Sequence, residues 1–208
     1  MPDSASDPRI AFFDDLAGRW DHNEQSPEET VRRVAELAGH LAIEPGQDVL
    51  EVGCGTGQLT GWLVEQASPG KVVAVDFAPA MVAMAQTKYI PAEFRVADVC
   101  GGDLGTDCFD VVLCFHSFPH FRDQPGALRN LAQALKPGGR LIVMHLAGSA
   151  AINAFHSGVG GAVSGDHLPY AEAWPPLLAA AALRLVSLVD RDDLFLLIAE
   201  QVARADRG

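Results

Sequence analysis

The 208-residue chain is short of basic residues, has no CxxC cysteine pair and contains no long apolar run. Its 15 Lys and Arg stand against 27 Asp and Glu, a formal net charge of −12. Nucleic acid and anionic membrane surfaces call for a basic face, and the few basic residues form no cluster, so both partners are disfavoured. Cys54, Cys100, Cys108 and Cys114 include no CxxC spacing. Three of them lie in or beside apolar strand-like runs, where cysteine behaves as a small hydrophobe. The least polar stretch, Leu141 to Ile152, contains His145 and is shorter than the roughly 20 residues of a membrane-crossing helix. The N-terminus lacks a secretory signal pattern, so the expected compartment is a reducing cytoplasm.

What is present suits one α/β domain: 49% apolar and 20% charged residues in a length that buries a core. Residues 1–45 read as an N-terminal helical cap. Residues 1–8 form a polar leader, followed by Phe12, Phe13, Leu16 and Trp20 at helical spacing, which suits either a packed helix or a flap. A second helix is expected over Pro27–Leu41, capped by Ser26, with Pro27 in its first turn. Strands then alternate with helices: Asp48–Val52, Lys71–Val75, Glu93–Val99, Phe109–Phe115 and Arg140–Leu146. Such alternation implies a parallel sheet with helices on both faces. The tail breaks the pattern. A helix over Tyr170–Leu183 leads to two strand-like runs joined at residues 190–193, an antiparallel hairpin. Residues 147–168, rich in Gly, Ala and Ser, read as a lid-like insert.

The chemistry begins at residues 49–60, VLEVGCGTGQLT, where a strand leads through Gly53, Gly55 and Gly57 into a helix. Glycines there permit positive φ and close approach of a ligand, and the helix N-terminus offers N–H groups to an anion. A nicotinamide dehydrogenase is the rival reading. Its G-x-G-x-x-G spacing needs a glycine where Gln58 stands, and here the third glycine falls one residue early. Glu51 precedes the turn, and Asp76 ends the second strand 23 residues after Gly53, placed to accept ribose hydroxyls. Asp98, ending the third strand, is placed to meet an adenine amine. Carboxylates at the site favour a cationic sulfonium over a pyrophosphate.

These segments resemble the successive motifs of class I methyltransferases that use S-adenosylmethionine (SAM). The resemblance rests on ExGxGxG at 51–57, VVAVDFAPAMV at 72–82, FRVADV at 94–99, FDVVLCF at 109–115 and LKPGGRLIV at 135–143. The nearest group is the UbiE-like, or methyltransferase domain 11/25, set, whose members act on many small molecules. The resemblance implies a Rossmann-like seven-stranded sheet of order 3-2-1-4-5-7-6 with strand 7 antiparallel, in one domain over residues 1–208. It implies that Gly53, Gly55 and Gly57 line the methionine part of SAM, with Glu51 beside them. Asp76 would hold the ribose, Phe77 and Val99 would flank the adenine, Asp98 would take its amine, and Phe115 would lie near the sulfonium. The Asn/Asp-Pro-Pro-Tyr/Phe turn of base-methylating relatives is missing after the fourth strand, where FHSF stands.

Methyl transfer asks for alignment of donor and acceptor and for removal of a proton where the acceptor carries one. Histidines gather where a base would be needed: His116, His120, His145, His156 and His167 are five of the seven in the chain. His116, His120 and His145 are the candidate bases or orienting groups, although His120 also admits a purely structural role. A second expectation is a divalent transition metal held by the histidines: His145 and His156, with His116, His120 or a carboxylate such as Asp166 completing the set. Phe118, Phe121, Phe155 and Trp174 suggest an aromatic or heterocyclic acceptor. A SAM-binding accessory protein without turnover is the non-enzymatic alternative.

Overall fold

Val49-Leu50-Glu51-Val52 is buried at every position, the mark of a strand covered on both faces. It forms β1 (Val49–Val52) in the computed structural model, which describes residues 7–22 and 26–202. The strands β2 (Val72–Asp76), β3 (Glu93–Val96), β4 (Phe109–Phe115), β5 (Leu135–His145), β6 (Leu183–Arg191) and β7 (Leu194–Gln201) complete one sheet of order β3-β2-β1-β4-β5-β7-β6. The β1–β2, β2–β3 and β4–β5 pairs are parallel, and β7 runs antiparallel to both β5 and β6. Helices pack around the sheet, giving the Rossmann-like order expected from the motif series. Among the described residues, no helix is long and apolar enough to cross a membrane.

The chain divides into two units, residues 1–98 and 99–208. The first opens with α1 (Pro8–Leu16), started by Asp7, whose carboxylate accepts from Arg9 N while Pro8 fills the first turn. Helix therefore begins inside the expected polar leader, and residues 1–6 lie outside the described residues. A 3₁₀ turn, Ala17–His22, follows. The helix expected over Pro27–Leu41 is two pieces, α2 (Pro27–Ala35) and α3 (Ala38–Leu41). Leu37 N bonds back three residues to Val34 O, a tightened turn that interrupts the α ladder. The Ser26 cap is present, its hydroxyl accepting from Glu29 N at 3.2 Å. Helices α4 (Thr60–Ala67) and α5 (Pro79–Gln86) bury Leu63, Met81, Val82 and Ala85.

In the second unit, α6 (Gln124–Ala134) is capped by Asp123, which accepts from Gly126 N at 2.9 Å. β5 starts at Leu135, earlier than Arg140. Leu135 pairs with Phe109 and the ladder resumes at Arg140–Val111, so Lys136–Gly139 is accommodated as an irregularity within the strand. The insert at 147–168 is built chiefly of α7 (Ser149–Val159), an 11-residue helix rather than an open loop. Its cap comes from 41 residues away: Asp190 accepts from Ser149 N at 2.9 Å and from the Ser149 hydroxyl at 2.5 Å. Asn153 then ties down the chain beyond the helix, donating to Leu168 O and accepting from Leu168 N. The helix expected from Tyr170 reduces to a 3₁₀ turn and α8 (Trp174–Ala180), whose Pro175 and Pro176 are tolerated only in a first turn. β6 and β7 meet across two residues, Asp192 and Asp193, and β7 lies inside the sheet with β6 at its edge.

Candidate functional site

In the first unit the chain leaves β1 through Gly53, Gly55 and Gly57 at φ 71°, 54° and 77°. All three angles lie in the left-handed region, where a Cβ is strained and glycine is favoured. The turn is fastened to the end of β2: Gly53 N and Cys54 N both donate to Val75 O, at 2.8 and 3.0 Å. Asp76, the last residue of β2, completes the fastening. Its Oδ2 accepts from Gly55 N at 2.8 Å and its Oδ1 from Ala78 N at 2.9 Å. A single carboxylate thus bridges the glycine turn and the approach to α5.

Glu51 lies in the strand beneath this turn, 2% exposed, with Thr60 Oγ1 donating to its Oε2 at 2.5 Å. Burial, reinforced by the like charge of Asp76 and only partly offset by Thr60, pushes the Glu51 carboxyl up to about 8. Burial and the same two carboxyls drive the Cys54 thiol up as well, which removes it from consideration as a nucleophile.

Two residues that did not stand out in the sequence organise the N-terminal cap over this turn. Asp21 accepts from Thr56 Oγ1 at 2.5 Å and Gln58 Nε2 at 3.0 Å, and pairs with Lys88 Nζ at 2.7 Å. Burial alone would raise its pKa, but these donors outweigh it and hold the carboxyl below its ordinary value. Asp14 accepts from Ala80 N in the first turn of α5 at 2.8 Å. Between these anchors, Phe13 packs edge-on against Trp20 and Phe77, with ring centroids 6.0 and 5.7 Å apart. Trp20 Nε1 lies 3.5 Å from the place a Cβ on Gly55 would occupy. Asp98 follows β3 and is half-buried.

Close packing makes Gly57 the stiffest test of the turn. A Cβ there would sit 3.2 Å from Ala85 Cβ at φ +77°. Gly57→Ala is expected to cost roughly 1–3 kcal/mol, the usual range for such backbone strain. In a chain of this size that lowers Tm by several degrees, about 2–4 °C per kcal/mol. Gly61→Ala, in α4 with nothing within 4 Å, serves as the control and leaves Tm equal or higher. Equal Tm values for Gly57→Ala and the parent would contradict the strained turn.

The second unit holds Val99, Phe115 and the histidines. Val99 is buried, and its carbonyl accepts from Asn130 Nδ2 at 3.0 Å; the same amide reaches Gly102 O at 2.8 Å. Phe115 ends β4 and packs against His116 at 4.3 Å. His116 itself takes φ +53°, its N–H bonding Met144 O and its Nε2 accepting from Leu146 N at 3.2 Å. That ring is therefore neutral, with its proton on Nδ1, and its Nε2 lone pair is engaged by the main chain. His145 stands 5.0 Å away, 2% exposed. Burial, with three neighbouring imidazoles, drives its pKa well below the ordinary value. His120, in the 3₁₀ turn Phe118–His120, meets Asp166: Nδ1 to Oδ2 is 2.7 Å, both side chains largely covered. His156 stacks edge-on to His120 at 5.0 Å and is likewise lowered by burial.

The four histidines expected to hold a metal have other neighbours in the structure. Ring contacts pair His116 with His145 and His120 with His156; His116 Nε2 is taken by Leu146 N, and His120 Nδ1 faces Asp166. Among the described residues, no three His, Cys, Asp or Glu side chains are arranged to hold an ion. The imidazoles are held by one another, by Asp166 and by the main chain.

Residues 50–143 match the family model described as a methyltransferase domain. Over 117 residues the chain is 37% identical to a demethylmenaquinone methyltransferase of Thermus thermophilus, covering 54% of this chain and 52% of that protein. Over 138 residues it is 32% identical to the O-methyltransferase cnsE of Penicillium expansum, covering 62% and 50%. The chain spans about half the length of these curated relatives. Among solved structures, a SAM-dependent methyltransferase from Aquifex aeolicus superposes with a TM-score of 0.66 at 19% identity, over 97% of this chain and all of that one, a likeness of fold.

Proposed function

We infer, from the match of residues 50–143 to a methyltransferase-domain family model, that the chain transfers the methyl group of SAM to a small-molecule acceptor. The reading is carried by one observation, the positive-φ glycine turn bridged by Asp76 through Gly55 N and Ala78 N. A Cβ at Gly57 would crowd Ala85, and the Asp76 carboxylate is buried beside the turn, which supports reading the pair as a cradle for the ligand. The residues fit the group: Gly53, Gly55 and Gly57 would pass the methionine end, Asp76 the ribose, and Phe77 with Asp98 the adenine. SAM, when bound, supplies an electrophilic methyl on a sulfonium. A net charge of −12 supports a small acceptor over a nucleic acid.

For proton removal, His120 is the strongest of the three candidate bases. Asp166 fixes its Nδ1–H, which leaves Nε2 the basic nitrogen. Asp166 is then a positioning residue. Asp166→Asn is expected to lower kcat by about 100-fold, within the 10²–10⁴ range of general-base contributions. KM and affinity for S-adenosylhomocysteine (SAH) should hold, and Asp166→Glu should recover part of the rate. A loss of SAH affinity equal to the loss of rate would reduce Asp166 to a fold support. The accessory alternative separates on the same assay: it binds SAM and releases no SAH with any acceptor.

A further inference from the structure

Four buried side-chain nitrogen or oxygen atoms have no hydrogen-bond partner among the described residues, and three of them belong to one aromatic cluster. These are His145 Nε2, His156 Nδ1 and Trp174 Nε1, on residues 2%, 7% and 0% exposed. The fourth, Gln201 Oε1, is at the far end of β7, where Gln201 pairs with Leu183. Each orphaned group costs about 1–3 kcal/mol of lost hydration, so three together call for a partner. His145 and Trp174 are linked through one shared ring, and His156 joins them through the turn Phe118–His120. His145 and Trp174 both pack on Phe195, at 6.3 and 5.9 Å; Trp174 meets Phe118 at 4.8 Å; His156 meets His120, two residues beyond Phe118, at 5.0 Å.

We propose that His145, His156 and Trp174 form the recognition site for the methyl acceptor, and that this acceptor is a neutral aromatic molecule bearing a hydroxyl group. The proposal rests on the methyltransferase reading above and names the substrate class of that activity. A hydroxyl both donates and accepts, and so satisfies imidazole nitrogens of either tautomer and an indole N–H, while a planar ring suits walls of Phe118, Trp174 and Phe195. A phosphate or carboxylate fits poorly. The charged neighbours acting on His145 and His156 are other imidazoles and Asp166, with no Lys or Arg among them, and burial keeps both rings neutral. An ammonium fits poorly too, because Asp166 is engaged by His120. Access requires the segment that carries His156 to move. Gly160 and Gly161, directly after α7, both take positive φ, 70° and 67°, with nothing within 4 Å of a Cβ position, and they form the swivel.

The test is equilibrium binding to the full chain, with and without saturating SAH, at pH 7. Phenol, catechol and 2-naphthol are the neutral hydroxylated probes; 2-naphthoate and phosphoethanolamine are the charged ones. Saturable binding of a neutral probe, weakened at least tenfold by His145→Phe and by His156→Phe with SAH affinity unchanged, is expected. Trp174→Phe keeps the ring and removes only the orphan donor; it is expected to weaken binding severalfold, and it covers the case in which a histidine variant fails to fold. Binding of the charged probes in place of the neutral ones overturns the proposal, as does neutral binding indifferent to all three substitutions. A chain that binds 2-naphthol but not SAH sinks the methyltransferase reading and leaves the aromatic site standing. One that binds SAH but none of the neutral probes does the reverse.

Discussion

Asp76→Ala is expected to lower the affinity for SAH by about 100-fold or more, equivalent to roughly 2.7 kcal/mol. Two losses combine in that figure. The carboxylate holds Gly55 N and Ala78 N at 2.8 and 2.9 Å, so its removal leaves two N–H groups without their acceptor and slackens the turn that meets the methionine end. It also removes the acceptor proposed for the ribose hydroxyls, and hydrogen bonds to a charged group are worth about 1.5–3 kcal/mol each. Asp76→Asn should fall between, because an amide retains one acceptor oxygen and must turn its NH₂ toward one of the two main-chain donors. Tm should fall for Ala by more than for Asn. Calorimetric titration of SAH into each variant reads the first effect, and thermal scanning reads the second. Unaltered affinity in Asp76→Ala would detach the carboxylate from the ligand.

Glu51→Gln is expected to make the chain more stable, and increasingly so as pH rises. The folded chain keeps the Glu51 proton up to about 8, whereas an ordinary glutamate releases it near 4.5. Between those values the folded state binds more protons than the unfolded state, so stability from this group is fully present at the acid end and declines as pH rises, levelling off above about 8. Glutamine keeps the shape and an acceptor for Thr60 Oγ1, and it carries no charge to be stranded. The Tm of the variant should match or slightly exceed the parent at pH 4.5 and exceed it by roughly 10 °C at pH 8.5, taking about 1.4 kcal/mol per pKa unit and about 2–4 °C per kcal/mol for a chain this long. Parallel Tm curves across that range would mean that Glu51 is not held protonated.

The parts of the fold that were legible in sequence are those whose signals are local. β1, β2 and β4 read as apolar runs because both of their faces are buried, and the glycines mark the turn because positive φ admits few other residues. Asp76 was legible from its place at a strand end. α7 was not: Gly148 offers no side-chain cap, and the acceptor that starts the helix is Asp190, a partner the chain order hides. Asp14 and Asp21 were missed for the same reason, since their donors at Ala80, Thr56, Gln58 and Lys88 lie 35 or more residues away. For the histidines, composition gave their number and neighbourhood but could not give their partners. A metal reading follows from proximity alone; the engagement of His116 by Leu146 N and of His120 by Asp166 is visible only once the strands are registered. Glu51 reads as a cofactor contact in sequence, and the fold turns its carboxyl inward onto Thr60.

The glycine turn and its carboxylate are tested most directly by titrating SAH and NAD separately into the same purified chain. One saturable site for SAH, with no measurable heat from NAD, is the predicted result. Saturable binding of NAD with none of SAH would mean that the turn at Gly53, Gly55 and Gly57 accommodates a pyrophosphate, and the assignment of a sulfonium nucleotide to it would be wrong.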